Sequence, residues 1–390
     1  MYNFDDLIDR RNTNCMKWDR LEELFGGTGL LPLWVADMDF SAPPAVLKAI
    51  KERTNHPIFG YNYSSDEYYQ AVISWMKRRH NWKIDREWIL FTPGVVPALS
   101  YSVKAYTEPD DNIIIQSPVY RPFYTTIENN GRNIITNPLI YRDGRYFMDY
   151  EDLEAKIDSK TKLLILCSPH NPVGRVWTKE ELTKLGEICL KNDIIIISDE
   201  IHFDIVYKGY DHTVLANVSP EIRERCIICT APSKTFNIAG LQISNIIIPN
   251  NELRKKYSLE LEKDHIIRPN VFGEEALVAA YNESEDWLDS LLEYLEKNRD
   301  FFISFVDKNI PQLKVVKPEG TYLLWVDFSD LGMNSEELRD FLVNKCKLAV
   351  NPGEMFGKES GLFQRFNIGC PRSILEEALI RIEKAVNGRN

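Results

Sequence analysis

The run Cys226-Ile227-Ile228-Cys229-Thr230-Ala231-Pro232-Ser233-Lys234-Thr235-Phe236-Asn237-Ile238-Ala239-Gly240 sets an unbroken apolar segment directly before a small-residue stretch that carries one lysine. Four apolar residues without polar alternation predict a strand covered on both faces, which places it inside a sheet rather than on a half-wet surface. The lysine then stands where the strand leaves the sheet. Desolvation there disfavours the ammonium and leaves a nucleophilic amine able to bond an aldehyde. Taken alone, Lys234 reads first as an ordinary loop lysine.

Outward from this run, Ile113–Gln116, Lys162–Cys167, Ile194–Ser198 and Asn245–Ile248 read as further strands, separated by amphipathic segments such as Lys179–Leu190. Alternation of continuous apolar strands with helical patterns predicts an α/β protein with a mainly parallel sheet sandwiched by helices. Such sheets hold ligands beyond the carboxyl ends of their strands. From about Glu283 a long amphipathic segment begins, with Trp287, Leu291, Leu292, Leu295, Phe302, Phe305 and Val306 near helical spacing. Beyond it, Thr321–Phe328 alternates like a half-exposed strand, while Ser335–Lys345 and Ile374–Val386 read as helices. A smaller α+β domain is expected there. The division predicted is an arm over residues 1–45 that contributes to the small domain, a large domain over 46–282 and a small domain over 283–390.

A chain of 390 residues exceeds the size at which one core keeps growing, which agrees with two domains. With 44% hydrophobic and 27% charged residues, a soluble globular protein is expected. The net charge of −11 and the lack of a basic stripe argue against nucleic acid as a partner. No stretch reaches a membrane span, and Met1-Tyr2-Asn3-Phe4-Asp5-Asp6 has neither a basic nor an apolar leader pattern, so the cytoplasm is the expected location. Seven scattered cysteines fit reduced thiols. Cys226 and Cys229 have the spacing of a zinc half-site, but no second Cys or His pair accompanies them, and no metal is expected.

Four other segments carry chemistry. Asn171, in Ser168-Pro169-His170-Asn171-Pro172-Val173-Gly174, offers an amide held between prolines; the simpler reading is a turn. Asp199, in Asp199-Glu200-Ile201-His202, is a carboxylate leaving an apolar strand, which requires a cationic or hydrogen-bonding partner unless it caps a helix. His202 faces the same ligand or serves as a bonded structural histidine. Gly94, Val95 and Val96 open a predicted helix from Val95 to Tyr106, whose free amides suit a phosphate. Tyr120, after Ser117-Pro118-Val119, is placed to stack on a ring or simply to pack. Together Tyr120, Asn171, Asp199 and Lys234 suit one planar, phosphorylated aldehyde, pyridoxal 5'-phosphate.

The elements around Asn171, Asp199 and Lys234 resemble the fold-type I pyridoxal-phosphate enzymes of aminotransferase class I/II. Within that group, Trp34-Val35-Ala36-Asp37-Met38-Asp39-Phe40, Asp199-Glu200-Ile201-His202 and Phe366-Asn367-Ile368-Gly369-Cys370-Pro371-Arg372 are similar to the MalY/PatB carbon–sulfur β-lyases, over nearly the whole chain. The resemblance implies that Lys234 bonds the cofactor and acts as general base, Asp199 pairs with the ring nitrogen, Asn171 bonds the ring oxygen and Tyr120 stacks over the ring. It implies phosphate contacts from Gly94, Val95, Val96 and Ser233, with Tyr61 reaching across a homodimer to the partner's phosphate. Arg365, Ala36 and Asn171 would meet an amino-acid substrate, Arg365 as a bidentate clamp on its carboxylate; the plainer reading of Arg365 is a surface ion pair. Ala231 and Gln242 replace a serine and an arginine that many aminotransferases use for phosphate, and His202 replaces a tyrosine. The implied reaction is β-elimination from cystathionine or other cysteine S-conjugates, with transamination, or a regulatory role in holding a transcription factor, as alternatives.

Overall fold

The computed structural model describes residues 2–388; Met1, Arg389 and Asn390, at the outer ends of the predicted arm and small domain, lie outside them. The apolar runs form seven strands of one sheet: β1 (Ile89–Thr92), β2 (Asn112–Ile115), β3 (Asn133–Thr136), β4 (Thr161–Cys167), β5 (Ile195–Asp199), β6 (Cys226–Thr230) and β7 (Ser244–Ile247). Their order is β1-β7-β6-β5-β4-β2-β3. All neighbours are parallel except at β7, which runs antiparallel to β1 and β6. The reversal has a local cause. Between β6 and β7 the chain forms only the short turns Pro232–Thr235 and Ala239–Leu241, so no long crossover helix carries it back for a parallel return.

Strands β1 and β3 escaped the sequence reading because they are edge strands of four residues whose middle positions are only partly buried. The central strands bury both faces. Along β4, Leu163, Ile165 and Cys167 join one apolar cluster, while Leu164 and Leu166 join the other, as the period of two requires. The helix Val95–Tyr106 packs Val95, Ala98, Leu99 and Val103 on the first face. Helix Lys179–Lys191 packs Leu182, Leu185, Ile188 and Cys189 on the second, its start fixed by a capping box between Thr178 and Glu181.

A second sheet comprises β8 (Lys314–Val316), β9 (Leu323–Asp327), β10 (Asn351–Pro352) and β11 (Phe363–Asn367), antiparallel in the order β8-β9-β11-β10. The long helix runs Glu285–Asn309, separated at Ser284 from a preceding helix Val271–Glu283, and buries Trp287, Leu291, Leu295, Phe302 and Val306 as its spacing predicted. Two expectations need correction. β9 is buried along its whole length rather than half-exposed, because Trp325 stacks on Phe363 on one side while the paired β11 sets Phe366 against Phe302 of the long helix. The segment Ser335–Lys345 is helical only to Asp340, then widens into a π turn over Phe341–Lys345.

Trp325 has 0% of its surface exposed, and its Nε1 donates to the Tyr146 hydroxyl at 3.2 Å. Trp325→Ala should therefore destabilise the protein by about 3–5 kcal/mol through lost burial and a residual cavity, read as a lowered urea midpoint.

Candidate functional site

Three parallel strands end side by side, with Cys167 of β4 and Cys229 of β6 flanking Asp199 of β5 in register. Asp199 is the last residue of its strand, and no helix begins after it, so it caps nothing. Its Oδ1 accepts from the Ile201 amide at 3.1 Å. No Lys, Arg or His nitrogen lies within ion-pair distance of it among the described residues. Burial consequently pushes this carboxyl up to about 7. A cation placed there would recover the cost of desolvation.

Lys234 lies on the one-turn helix Pro232–Thr235, not in an open loop. Its Nζ donates to the Ala36 carbonyl at 2.6 Å. Desolvation brings the amine down to about 8; the charge of Asp37 opposes that fall, Arg365 adds to it and Asp199 opposes it. The Ala36 carbonyl also accepts from Tyr322 Oη at 2.9 Å.

The loop carrying Ala36 is pinned from two directions. Asn237, three residues after the lysine, accepts from the Met38 amide at 2.9 Å and donates to the Met38 and Phe40 carbonyls at 2.8 Å each. Asn367 at the end of β11 donates to the Val35 and Asp37 carbonyls. Beneath it, fully buried Lys17 contacts Asp39 at 2.6 Å and Arg10 contacts the same carboxylate at 2.7 Å.

Arg365 lies within β11 and is 4% exposed, which rules out a surface ion pair. Its Nη1 donates to Asn171 Oδ1 at 3.0 Å and its Nη2 donates to Asn351 Oδ1 at 2.6 Å and the Trp34 carbonyl at 2.9 Å. Its buried Nε has no partner among the described residues. Burial draws the guanidinium down to about 10, so it stays charged at neutral pH without a carboxylate beside it. A buried guanidinium so placed has the chemistry to bind a small anion.

Asn171 sits between two cis prolyl bonds, Ser168–Pro169 and Asn171–Pro172, in a turn closed by Gly174. Gly174 has φ +73°, and a Cβ there would meet Pro318 at 2.5 Å, so no other residue fits the approach. With Asn171 Oδ1 held by Arg365, its amide hydrogens remain to donate into the pocket. Tyr120 contacts Phe123 edge-on at 6.3 Å, and desolvation raises its phenol, with Arg365 opposing that rise and Asp199 adding to it. His202 is buried and neutral, held well below its ordinary value chiefly by burial, and its Nδ1 has no partner among the described residues. Gly94 is the N-cap of the predicted helix, which spans Val95–Tyr106 as expected; the first amides of a helix have no internal acceptor. Ser233 is partly buried on the turn bearing the lysine. Tyr61 is 103% exposed and is not gathered with these groups.

The sequence reading missed Asn237 and Asn367 as loop anchors, although both fall inside the motifs quoted for the resemblance. It also missed the partly buried hydrogen bond from Thr92 Oγ1 to the Gly94 carbonyl, which fixes the helix entry. Each needs partners more than 100 residues away or a turn geometry that no local pattern displays. Cys226 and Cys229 lie inside β6, all seven cysteines are free, and no metal-binding cluster occurs among the described residues.

A planar, phosphorylated pyridine aldehyde fits these residues: an amine with lowered affinity for protons, a carboxylate lacking a cation, free amide donors and a helix start. The chain belongs to the aminotransferase class I and II family, whose sequence profile matches residues 28–382. It is 46% identical to cystathionine beta-lyase PatB of Bacillus subtilis (strain 168), over 99% of this chain and 100% of that one, and 34% identical to protein MalY of Escherichia coli (strain K12), over 99% of each. Among solved structures, cystalysin from Treponema denticola, which contains a pyridoxal 5'-phosphate cofactor, superposes with a TM-score of 0.97 at 39% identity, covering 100% of both chains. A PLP-bound C–S lyase from Staphylococcus hominis superposes with a TM-score of 0.92 at 37% identity, covering 99% of this chain and 98% of that one.

Lys234 should titrate near 8, charged below that pH and nucleophilic above it. In protein stripped of small aldehydes with hydroxylamine, acetic anhydride labelling followed by peptide mass mapping should show this midpoint. Asp37→Asn should lower it further, since the Asp37 carboxylate favours the ammonium; an unchanged or higher midpoint would contradict the assigned electrostatics.

Proposed function

We propose that the protein is a pyridoxal-phosphate-dependent carbon–sulfur β-lyase of the cystathionine β-lyase type, cleaving L-cystathionine or other cysteine S-conjugates to a thiol, pyruvate and ammonia. The observation that carries the proposal is the pairing of a desolvated Lys234 amine with a buried Arg365 that has no anion, on either side of the Ala36 loop. Bound pyridoxal phosphate supplies an electrophilic aldehyde and a protonated ring that takes up the electron pair left when the α-proton departs.

The chain's own groups do the rest. Lys234 anchors the cofactor and, once its amine is free, takes the substrate α-proton. Asp199 stabilises the positive ring nitrogen, and that partner in turn keeps the carboxylate ionised. Asn171 donates to the ring oxygen while its Oδ1 orients Arg365. Tyr120 covers the ring face and His202, neutral, lines it. The amides of Gly94, Val95 and Val96, with Ser233, take the phosphate, which must lean on backbone donors because Ala231 and Gln242 supply no cation. Arg365 holds the substrate carboxylate beside Ala36. With the α-carbon held so, the pair left by the α-proton would form the Cα=Cβ bond as the Cβ–S bond breaks, sulfur would leave as a thiolate with the pair of that broken bond, and water would convert the released enamine to pyruvate and ammonia.

Similarity favours elimination over transamination: the lyase PatB shares 46% identity, whereas aspartate aminotransferase of Pyrococcus abyssi shares 25%. The exposed cluster of Ile58, Phe59, Tyr61 and Tyr63 supports a homodimer in which Tyr61 reaches the neighbouring phosphate. The two sheets support the division into an arm over residues 1–45, a cofactor-binding domain over 46–282 and a small domain over 283–390. No helix among the described residues is long and apolar enough to cross a membrane, which agrees with a cytoplasmic enzyme.

Purified protein loaded with cofactor should release pyruvate from L-cystathionine in a lactate-dehydrogenase-coupled assay. Lys234→Ala should abolish it, and Arg365→Lys, which loses the bidentate fork, should raise KM roughly tenfold or more. No pyruvate from any cysteine S-conjugate would overturn the proposal.

A further inference from the structure

A cavity of about 910 Å³ lies beside the Arg365 clamp, and none of the roles above uses its outer part. Its volume is at the upper end for small-molecule pockets and far exceeds what the cysteine moiety needs. It shares Trp34 and Asn351 with the contacts of Arg365, and Arg121, the residue after Tyr120, also lines it. The cavity thus adjoins the Arg365 clamp through two shared residues, on the side from which a substituent on the substrate's sulfur could extend.

The wall of that space is apolar, built from Phe25, Trp34, Leu342, Val343, Leu348 and Met355. It is also fixed. Phe25 meets Trp34 edge-on at 5.3 Å, and the strand pair Leu31–Pro32 with Leu348–Ala349 ties the amino-terminal segment to the region after β9. The π turn over Phe341–Lys345 delivers two consecutive residues, Leu342 and Val343, to the same cavity. Such widened turns recur at functional sites. The rim carries the exposed Arg121, Arg339 and Lys358 together with Glu128, Glu354 and Glu359, three of each sign and none in an ion pair among the described residues. A hydrated, balanced rim sorts ligands weakly by charge, which leaves the apolar wall to select.

We propose that this cavity receives the sulfur substituent and makes the enzyme selective for cysteine S-conjugates with bulky apolar leaving groups over small ones, an inference that rests on the lyase reading above. Phe25 and Val343 are specificity residues that need not touch the reacting atoms.

The test compares kcat/KM of the holoenzyme for S-benzyl-L-cysteine and S-methyl-L-cysteine, by pyruvate release. The benzyl conjugate should be favoured by about tenfold or more, the scale of discrimination that apolar pockets achieve. Val343→Phe, which fills the cavity, and Phe25→Ala, which removes a half-buried wall, should each cut the benzyl value by about tenfold while moving the methyl value by less than about twofold. Phe25→Ala alters a partly exposed helix end, so it keeps the test decisive even where Val343→Phe folds poorly. Equal turnover of the two substrates, or equal losses in the variants, would overturn the subsite while leaving the lyase reading intact. Pyruvate from L-cystathionine but from neither of these conjugates would also overturn the subsite alone, and pyruvate from none of the three would overturn both.

Discussion

A carboxylate that closes an apolar strand, held between two cysteines and bonded among the described residues to one backbone amide, is the constraint around which this molecule is arranged. Burial leaves Asp199 only partly ionised near neutrality, and among the described residues the fold provides no cation within ion-pair distance of it. The cost is tolerable only if a ligand brings the positive charge. Lys234 shows the same economy with the opposite sign: its amine is desolvated enough to lose a proton near neutrality, which suits a covalent anchor and a base better than a salt bridge. Both groups are destabilised in a way that binding would relieve.

The loop from Trp34 to Phe40 converts this electrostatics into geometry. Asn237 fixes it to the helix turn of the lysine, while Asn367 and Arg365 fix it to the second sheet. The Ala36 carbonyl receives both the Lys234 amine and the Tyr322 hydroxyl. A shift of either sheet would therefore be transmitted to the amine and to the carboxylate clamp through the same few backbone groups. Buried Lys17 and partly buried Arg10 on Asp39 support the loop from below.

Much of this was legible in the sequence because the central strands are continuous apolar runs, and each reactive residue directly follows or ends one. The order Tyr120, Asn171, Asp199, Lys234 is the order of strand ends in the chain, and parallel topology collects such ends on one side. What stayed hidden depended on partners distant in the chain. The burial of β9 follows from packing by Phe363 and by the long helix, not from its own alternation; the π turn after Asp340 leaves no signal in a helical pattern. The reversal of β7 reflects a connection too poor in helix to cross over. Asn237 and Asn367 look like ordinary turn residues until the loop they grip is placed between them.

The covalent role of Lys234 is the claim on which the site stands. Borohydride reduction of the purified protein with pyridoxal phosphate, followed by digestion and peptide mass mapping, measures it directly. The account predicts a single reduced pyridoxyl adduct on the peptide containing Lys234; an adduct on another lysine, or none at all, would contradict it.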